Sequence, residues 1–331
     1  MRDLEIRNFR KPELIDLPGK AWLAIPEFKD NLFQELSIDP ARPGRGVSLF
    51  GDIVYREGEA PEAFWHRTVL EKPFTAEFDS IKEAARILRG IQRNWAHCPV
   101  SAFRRAELIQ ENLPYVNNKP RAFPFIVPSS PMGIWSLLNE HTLFASALTS
   151  SPFPCGEIRF EEDHVNPPSR AYLKIYEALA WVSFLGGSIP GPGSSCVDAG
   201  ACPGGWTWAL DRLGAGITAI DRSELDPRLM ARPSIEFLKH DAFTLQPADL
   251  GKRDWVCSDV ICYPARLLEW VQKWLDSGLC GNFICTIKMQ GPADHGVTRA
   301  FAAIPGSRVV HLTANKNELT WIRLGTADKT E

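Results

Sequence analysis

The chain has 331 residues, 44% of them hydrophobic, and a formal net charge of −3. That length suits two domains with a substantial core, and the near-neutral balance excludes a global polycation, so any nucleic-acid contact must come from local patches. Eight cysteines without a Cys-x-x-Cys pair, several inside apolar runs, indicate free thiols in a reducing compartment and no zinc or other metal site.

From the N-terminus, Gly46 to Tyr55 reads as a strand bounded by glycines, with Gly51 as a bulge, and Phe64 to Glu71 reads as another. Ser80-Ile81-Lys82-Glu83 is a capping box that opens a helix running to about Trp95. Along it Ile81, Ala84, Leu88, Ile91 and Trp95 recur at three and four as one apolar stripe, while Lys82, Arg86, Arg89 and Arg93 repeat on a neighbouring face. Between Lys82 and Arg121, eight Lys and Arg (82, 86, 89, 93, 104, 105, 119 and 121) stand against three acids (83, 107 and 111), with Trp95, His97, Phe103 and Tyr115 interleaved. Cations mixed with aromatics suit RNA, because phosphates take the charge and unpaired bases stack on rings. Composition alone fits a solvated helix face beside core aromatics better. Phe123 to Phe160, rich in Pro and Ser, reads as an irregular connector with one short helical piece around Ile134 to Leu138. The boundary between residues 1–150 and 151–331 is placed within it.

In the second half, an apolar run from Ser194 to Val197 meets Asp198-Ala199-Gly200-Ala201-Cys202-Pro203-Gly204-Gly205-Trp206-Thr207, and a helical stretch follows from Trp206 to Leu213. This is a strand, a Gly-rich turn and a helix N-terminus. A dinucleotide site wants Gly-x-Gly-x-x-Gly, whereas this turn lacks that spacing and sets Asp198 where a phosphate would be repelled. An acid there suits a cationic, hydroxyl-rich ligand. S-adenosylmethionine is both, with an ammonium, a sulfonium and a ribose diol. Downstream, Ile217 to Ile220 reads as the next strand, closed by Asp221 roughly twenty residues beyond the turn, where open α/β sheets place an acid to hold ribose hydroxyls. A third segment, Ile235 to Lys239, runs into Asp241, an acceptor suited to an adenine amino group. Any one of these acids also suits a helix cap.

Asp-x-Gly-x-x-Pro-Gly-Gly-Trp-Thr resembles motif I of the FtsJ/RrmJ-type ribose 2′-O-methyltransferases, and Ala201 to Thr207 is most similar to the RlmM-type enzymes, which methylate a cytidine ribose of bacterial large-subunit ribosomal RNA. The resemblance extends over about 165–325. It implies an α/β fold, with a doubly wound, Rossmann-like class I methyltransferase domain over 151–331. A smaller α+β, THUMP-like RNA-binding domain over 1–150 would precede it, shorter than in the family. It further implies S-adenosylmethionine held by Ser169, Asp198, Gly200, Cys202, Pro203, Gly204, Gly205, Trp206, Asp221, Asp241 and Asp259. The family's Lys-Asp-Lys-Glu tetrad is carried over as Lys174, on the helix before the first strand, Asp259 ending Asp254–Asp259, Lys288 ending Asn282–Lys288, and Glu318 opening Glu318–Leu324. The implied RNA contacts are Lys82, Arg86, Arg89, Arg93, Arg104 and Arg105, and the implied partner is 23S ribosomal RNA or its precursor particle.

Methyl transfer is an in-line displacement at a sulfonium, so the protein's tasks are alignment and activation of the ribose hydroxyl. A lysine accepts that proton only if its own pKa falls, through burial or a neighbouring cation. Lys288 is therefore the expected general base, with Asp259 orienting it and Glu318 balancing Lys174. Taken singly, a lysine at a strand end reaches solvent, and Ser169 after Pro167-Pro168 reads equally as a helix N-cap. After Lys288, Met289 to Gly296 is a Gly/Pro loop with little positive charge, a departure from a basic RNA-holding stretch. The same fold acting on another RNA or on a small hydroxylated metabolite, and a non-catalytic RNA-binding protein, are the alternatives. No apolar run approaches the roughly eighteen residues of a membrane span, and Met1 to Arg7 is unlike a signal peptide, so the expected location is cytoplasmic.

Overall fold

A computed structural model describes residues 13–325, so the start of the chain read above as lacking a signal peptide lies outside the described residues. The N-terminal half contains β1 (Leu14–Asp16), β2 (Gly19–Ala24), α1 (Lys29–Glu35), β3 (Val47–Phe50), β4 (Ile53–Glu57), β5 (His66–Leu70) and β6 (Pro73–Glu77). It continues with α2 (Ile81–Ile91), β7 (Trp95–His97), α3 (Phe103–Gln110), β8 (Gly133–Leu137) and β9 (Thr142–Ser146). These strands form a four-stranded sheet, β3-β4-β2-β5, and a five-stranded one, β1-β6-β9-β8-β7. Helices α2 and α3 share a core with the five-stranded sheet, in which Trp95, Trp135, Leu88 and Ile109 are fully buried.

Three expectations change here. Gly46 to Tyr55 is a hairpin, β3 and β4, with Gly51 at φ +58° in its turn and no bulge. Of residues Ile134 to Leu138, all but Leu138 fall on β8 instead of a helix, because all five residues of β8 are buried, so the strand lacks the polar alternation that would mark it. The helix after Ser80 ends at Ile91, and Trp95 belongs to β7. From that strand the Trp95 indole donates to the Leu88 carbonyl at 2.8 Å, which satisfies a last-turn acceptor and extends the apolar stripe without extending the helix. At the other end the Ser80 hydroxyl accepts from Glu83 N at 3.2 Å, while the Glu83 carboxylate reaches one residue further back than a capping box, to Asp79 N at 3.0 Å.

The C-terminal half contains α4 (Tyr172–Phe184), β10 (Ser195–Ala199), α5 (Gly205–Arg212), β11 (Gly216–Asp221), α6 (Pro227–Met230), β12 (Ile235–Lys239) and α7 (Pro247–Leu250). After these come β13 (Trp255–Ser258), α8 (Pro264–Ser277), β14 (Asn282–Lys288), α9 (His295–Ala302), β15 (Ser307–Val310) and β16 (Glu318–Arg323). Seven strands form one sheet in the order β12-β11-β10-β13-β14-β16-β15. The first five are parallel, and β16 runs antiparallel between β14 and β15. The order reverses at β10, whose neighbours are β11 on one side and β13 on the other, so the carboxyl ends of these strands splay into a crevice. Among the described residues no helix is long and apolar enough to cross a membrane.

The hydrophobic core runs across residue 150. Trp22, Leu32, Phe33 and Trp65 belong to the same buried cluster as Val197, Val256, Phe283 and Trp321. A polar tie accompanies it: the buried Glu35 carboxylate accepts from Phe64 N and Trp65 N at 2.8 and 3.0 Å and meets His295 Nδ1 of α9 at 3.4 Å. Trp321 anchors this core from β16, packed on Phe283 and Phe301, with its indole donating to Ser307 Oγ at 2.7 Å. Trp321→Ala should therefore lower the unfolding free energy by about 3–5 kcal/mol, as measured by urea denaturation. A loss below about 1 kcal/mol would show that the edge of the sheet collapses to fill the space.

Candidate active site

The crevice at the end of β10 is a cavity of about 360 Å³. Its floor is the turn from β10 into α5, which must carry glycine where another element presses on the backbone. Gly200 sits at φ +78°, and a Cβ there would lie 2.7 Å from Cβ of Val260, on the segment that follows β13. At Gly205 a Cβ would come 2.4 Å from Ser169 Oγ. The turn is fastened from both sides: Asp221 Oδ2 accepts from Cys202 N at 3.0 Å, and the Trp206 indole donates to the Ala171 carbonyl at 2.9 Å.

Of the residues expected to hold a cofactor, Ser169, Asp198, Gly200, Cys202, Pro203, Gly205, Trp206, Asp221 and Asp259 line this cavity. Gly204 does not; it precedes α5 at φ +115°, packed toward Leu229. Asp241 does not either. It sits beyond β12, where it pairs with Arg222 and lies 3.6 Å from Arg266, and burial, which raises its pKa, is outweighed by the hydrogen bonds from Arg222 and Phe243 N together with the charges of the two arginines. Ser169 is not a helix cap, because the residue preceding α4 is Ala171. Its hydroxyl is buried and has no hydrogen-bond partner.

Asp198 is 1% exposed and receives one side-chain hydrogen bond, from Thr207 Oγ1 at 2.6 Å. Burial pushes its carboxyl up to about 7, and the nearby charges of Asp259 and Asp221 add to the effect. Among the described residues no cation pairs with it. Thr207, Val260 and Ile261 also shape the site without having been singled out in the sequence. Thr207 stands within the Gly-rich string itself, whereas Val260 and Ile261 had no signal beyond following Asp259.

At the cavity wall four side chains from four elements converge. Lys174 Nζ, from the first turn of α4, lies 2.8 and 2.9 Å from the two Asp259 oxygens and 3.0 Å from Glu318 Oε1. Lys288 Nζ, at the end of β14, lies 3.1 Å from Asp259 Oδ1. Lys288 and Glu318 are direct register partners between β14 and β16, so the antiparallel strand is what delivers the glutamate. All four side chains are only 12–16% exposed, so each charge depends on its neighbours and little on water. Burial acts to lower the Lys174 pKa, but the two carboxylates outweigh it and the net shift is upward. Lys288 borders the cavity; Lys174 stands behind it.

The cationic face lies elsewhere. Lys82, Arg86, Arg89, Arg93 and Arg104 are exposed on or next to α2 and α3. Arg105 is half-buried and committed to structure, donating to the Asp79 carbonyl at 3.1 Å with its guanidinium over the Phe78 ring. Of the interleaved aromatics, Trp95 is in the core, whereas Phe103 and Tyr115 are 60% and 75% exposed.

Comparison with known proteins matches residues 167–301 to the FtsJ-like methyltransferase family. Ribosomal RNA large subunit methyltransferase M of Alkalilimnicola ehrlichii is 32% identical over 179 residues, covering 54% of this chain and 47% of that protein. The protein of the same name from Azoarcus sp. is 36% identical over 143 residues, covering 42% and 38%. This chain thus spans about half the length of the relatives it matches, or less. Among solved structures, a ribosomal RNA methyltransferase from Plasmodium falciparum is similar with a TM-score of 0.36 at 16% identity, covering 47% of this chain and 97% of that one. The Gly-rich turn, the switch-point cavity and three of the four converging side chains all lie inside the segment that matches the FtsJ-like methyltransferase family.

Proposed function

We propose that this chain transfers a methyl group from S-adenosylmethionine to a ribose 2′-hydroxyl of large-subunit ribosomal RNA, in the cytoplasm. The observation that carries the reading is the Lys174–Asp259–Lys288–Glu318 cluster standing at the wall of the switch-point cavity. The cavity fits the cofactor on its own terms. It holds a buried carboxyl with no cationic partner, Asp198, and a buried hydroxyl with no partner, Ser169. A ligand bringing positive charge and polar atoms satisfies both. When bound, S-adenosylmethionine supplies an electrophilic methyl on a sulfonium.

The remaining tasks fall to the chain. Asp221, at the end of β11, is placed for ribose hydroxyls while it holds the turn through Cys202 N. Lys174 is held by two carboxylates and stays an ammonium, fixing Asp259 in place. Lys288 meets Asp259 through a single oxygen and faces the cavity, so the proton of the incoming hydroxyl is assigned to Lys288 Nζ. We assign the five-stranded sheet with α2 and α3 to RNA gripping, a THUMP-like role, with the exposed cations of α2 as its phosphate contacts.

The test is transfer of labelled methyl from S-adenosylmethionine to ribosomal RNA from cells lacking this gene. Label is expected in a large-subunit ribose. Lys288→Ala should lower the rate by about 10²–10⁴ while cofactor affinity stays within about twofold, because the base acts only in the chemical step. Full activity in that variant would remove Lys288 from the role. A second expectation concerns pH. A carboxyl whose folded pKa of about 7 lies above its ordinary 3.8 binds its proton more tightly when folded. Its contribution is complete below about pH 4 and is lost as pH rises through about 7. Unfolding free energies from urea melts of the ligand-free wild type should therefore fall relative to Asp198→Asn between pH 4 and pH 7, and parallel pH profiles would show that Asp198 is already ionised.

A further inference from the structure

A second cleft, of about 420 Å³, lies between residues 115–121 and the segment read from sequence as an irregular connector, and it shares no lining residue with the switch-point cavity. Its walls are held by a short parallel bridge: Arg121 N donates to the Arg159 carbonyl and Glu161 N to the Arg121 carbonyl, both at 2.9 Å. Phe123 then stacks on Tyr176 of α4 with ring centroids 4.1 Å apart. The cleft is therefore built against the same helix that carries Lys174.

Its chemistry differs from that of an ordinary surface groove. Lys119, Arg121 and Arg159 converge on it, and among the described residues none of the three forms an ion pair. The lining's acid, Glu157, is committed to Arg67 at 2.9 Å, outside the cleft. In a chain of net charge −3, three converging cations left without a carboxylate fit a visiting anion. The side-chain amides of Asn94, Asn117 and Asn118 supply donors and acceptors beside them. Tyr115 presents a ring that is 75% exposed, and the cleft falls within the roughly 300–1,000 Å³ usual for small-ligand sites. Asn94 directly follows Arg93, so the cationic face of α2 leads to its rim.

We propose that this cleft holds an unpaired nucleotide of a single-stranded RNA segment. The base stacks on Tyr115 and is read along its edge by the asparagine amides, while Lys119, Arg121 and Arg159 take the flanking phosphates. An acidic peptide would use the cations but leave the exposed ring and the amides without a task. The inference rests on the RNA reading above and adds a site to it: a strand running along α2 is gripped here, against α4, on its way to the cavity.

The experiment is fluorescence anisotropy of the full chain with a labelled 12-nucleotide single-stranded RNA over a salt series, with S-adenosylmethionine binding and circular dichroism as folding controls for each variant. Tyr115→Ala should weaken binding about tenfold and Tyr115→Phe should not, since the ring supplies the platform. Arg121→Gln with Arg159→Gln should reduce the slope of log affinity against log salt by about 1.4, that of two single-strand phosphate contacts. If the wild type binds the RNA and these variants match it in affinity and slope, the cleft is overturned and the RNA reading stands. If the folded wild type binds no RNA, both fall. Adenosine 5′-monophosphate binding as tightly as the 12-mer would replace the strand by a free nucleotide, and polyglutamate displacing the RNA at equal charge concentration would reduce the cleft to a site for acidic chains.

Discussion

The carboxylate of Asp259 is the contact on which the site depends. One oxygen is shared by the Nζ atoms of two lysines, from α4 and from the end of β14, and the second oxygen also faces Lys174. Charges this far from water persist only in mutual contact, and removing the shared partner leaves Lys174 with Glu318 alone. The requirement reaches into the fold. The end of β13, the end of β14, the first turn of α4 and the first residue of β16 must all arrive at one point. The antiparallel placement of β16 is what lets a residue thirty positions beyond Lys288 return beside it.

The same cavity contains a carboxyl in the opposite condition. Asp198 is as deeply buried as any core side chain, yet it has a threonine hydroxyl where Asp259 has two lysines. Burial without a cation raises its pKa, while the tetrad's ion pairs hold Lys174 charged. One acid is thus paired with cations of the protein, and the other has none among the described residues. The glycines between them are dictated by packing as much as by conformation, since a methyl group at 200 or 205 would strike Val260 or Ser169.

The N-terminal half is joined to this sheet, sharing its core. Trp22, Trp65 and Phe33 pack into the cluster that includes Trp321, and Glu35 reaches His295 at the start of α9, just after the loop that follows Lys288. The four-stranded sheet and the seven-stranded sheet therefore sit on one continuous scaffold. That continuity gives precise placement, because supporting contacts hold a constellation better than a flexible tether does.

What the sequence determined by itself was whatever local spacing encodes. The Gly-rich turn between strand and helix, Asp221 at the end of the next strand, the apolar runs ending in Asp259 and Lys288, and the Ser80 cap are all properties of short segments, and each stands where its segment placed it. Tertiary structure decided what depends on burial from outside the segment. Residues 133–137 are a strand buried on both faces and so have no alternation to read; Trp95 closes a helix from a neighbouring strand; and Arg105 is drawn into a structural contact. Asp241 was indistinguishable in sequence from Asp221, yet it lies beside two arginines and does not line the cavity. The pairing of Lys174 with Asp259, eighty-five positions apart, and the cleft between residues 115–121 and the connector exist only through contacts between distant segments, which no local pattern specifies.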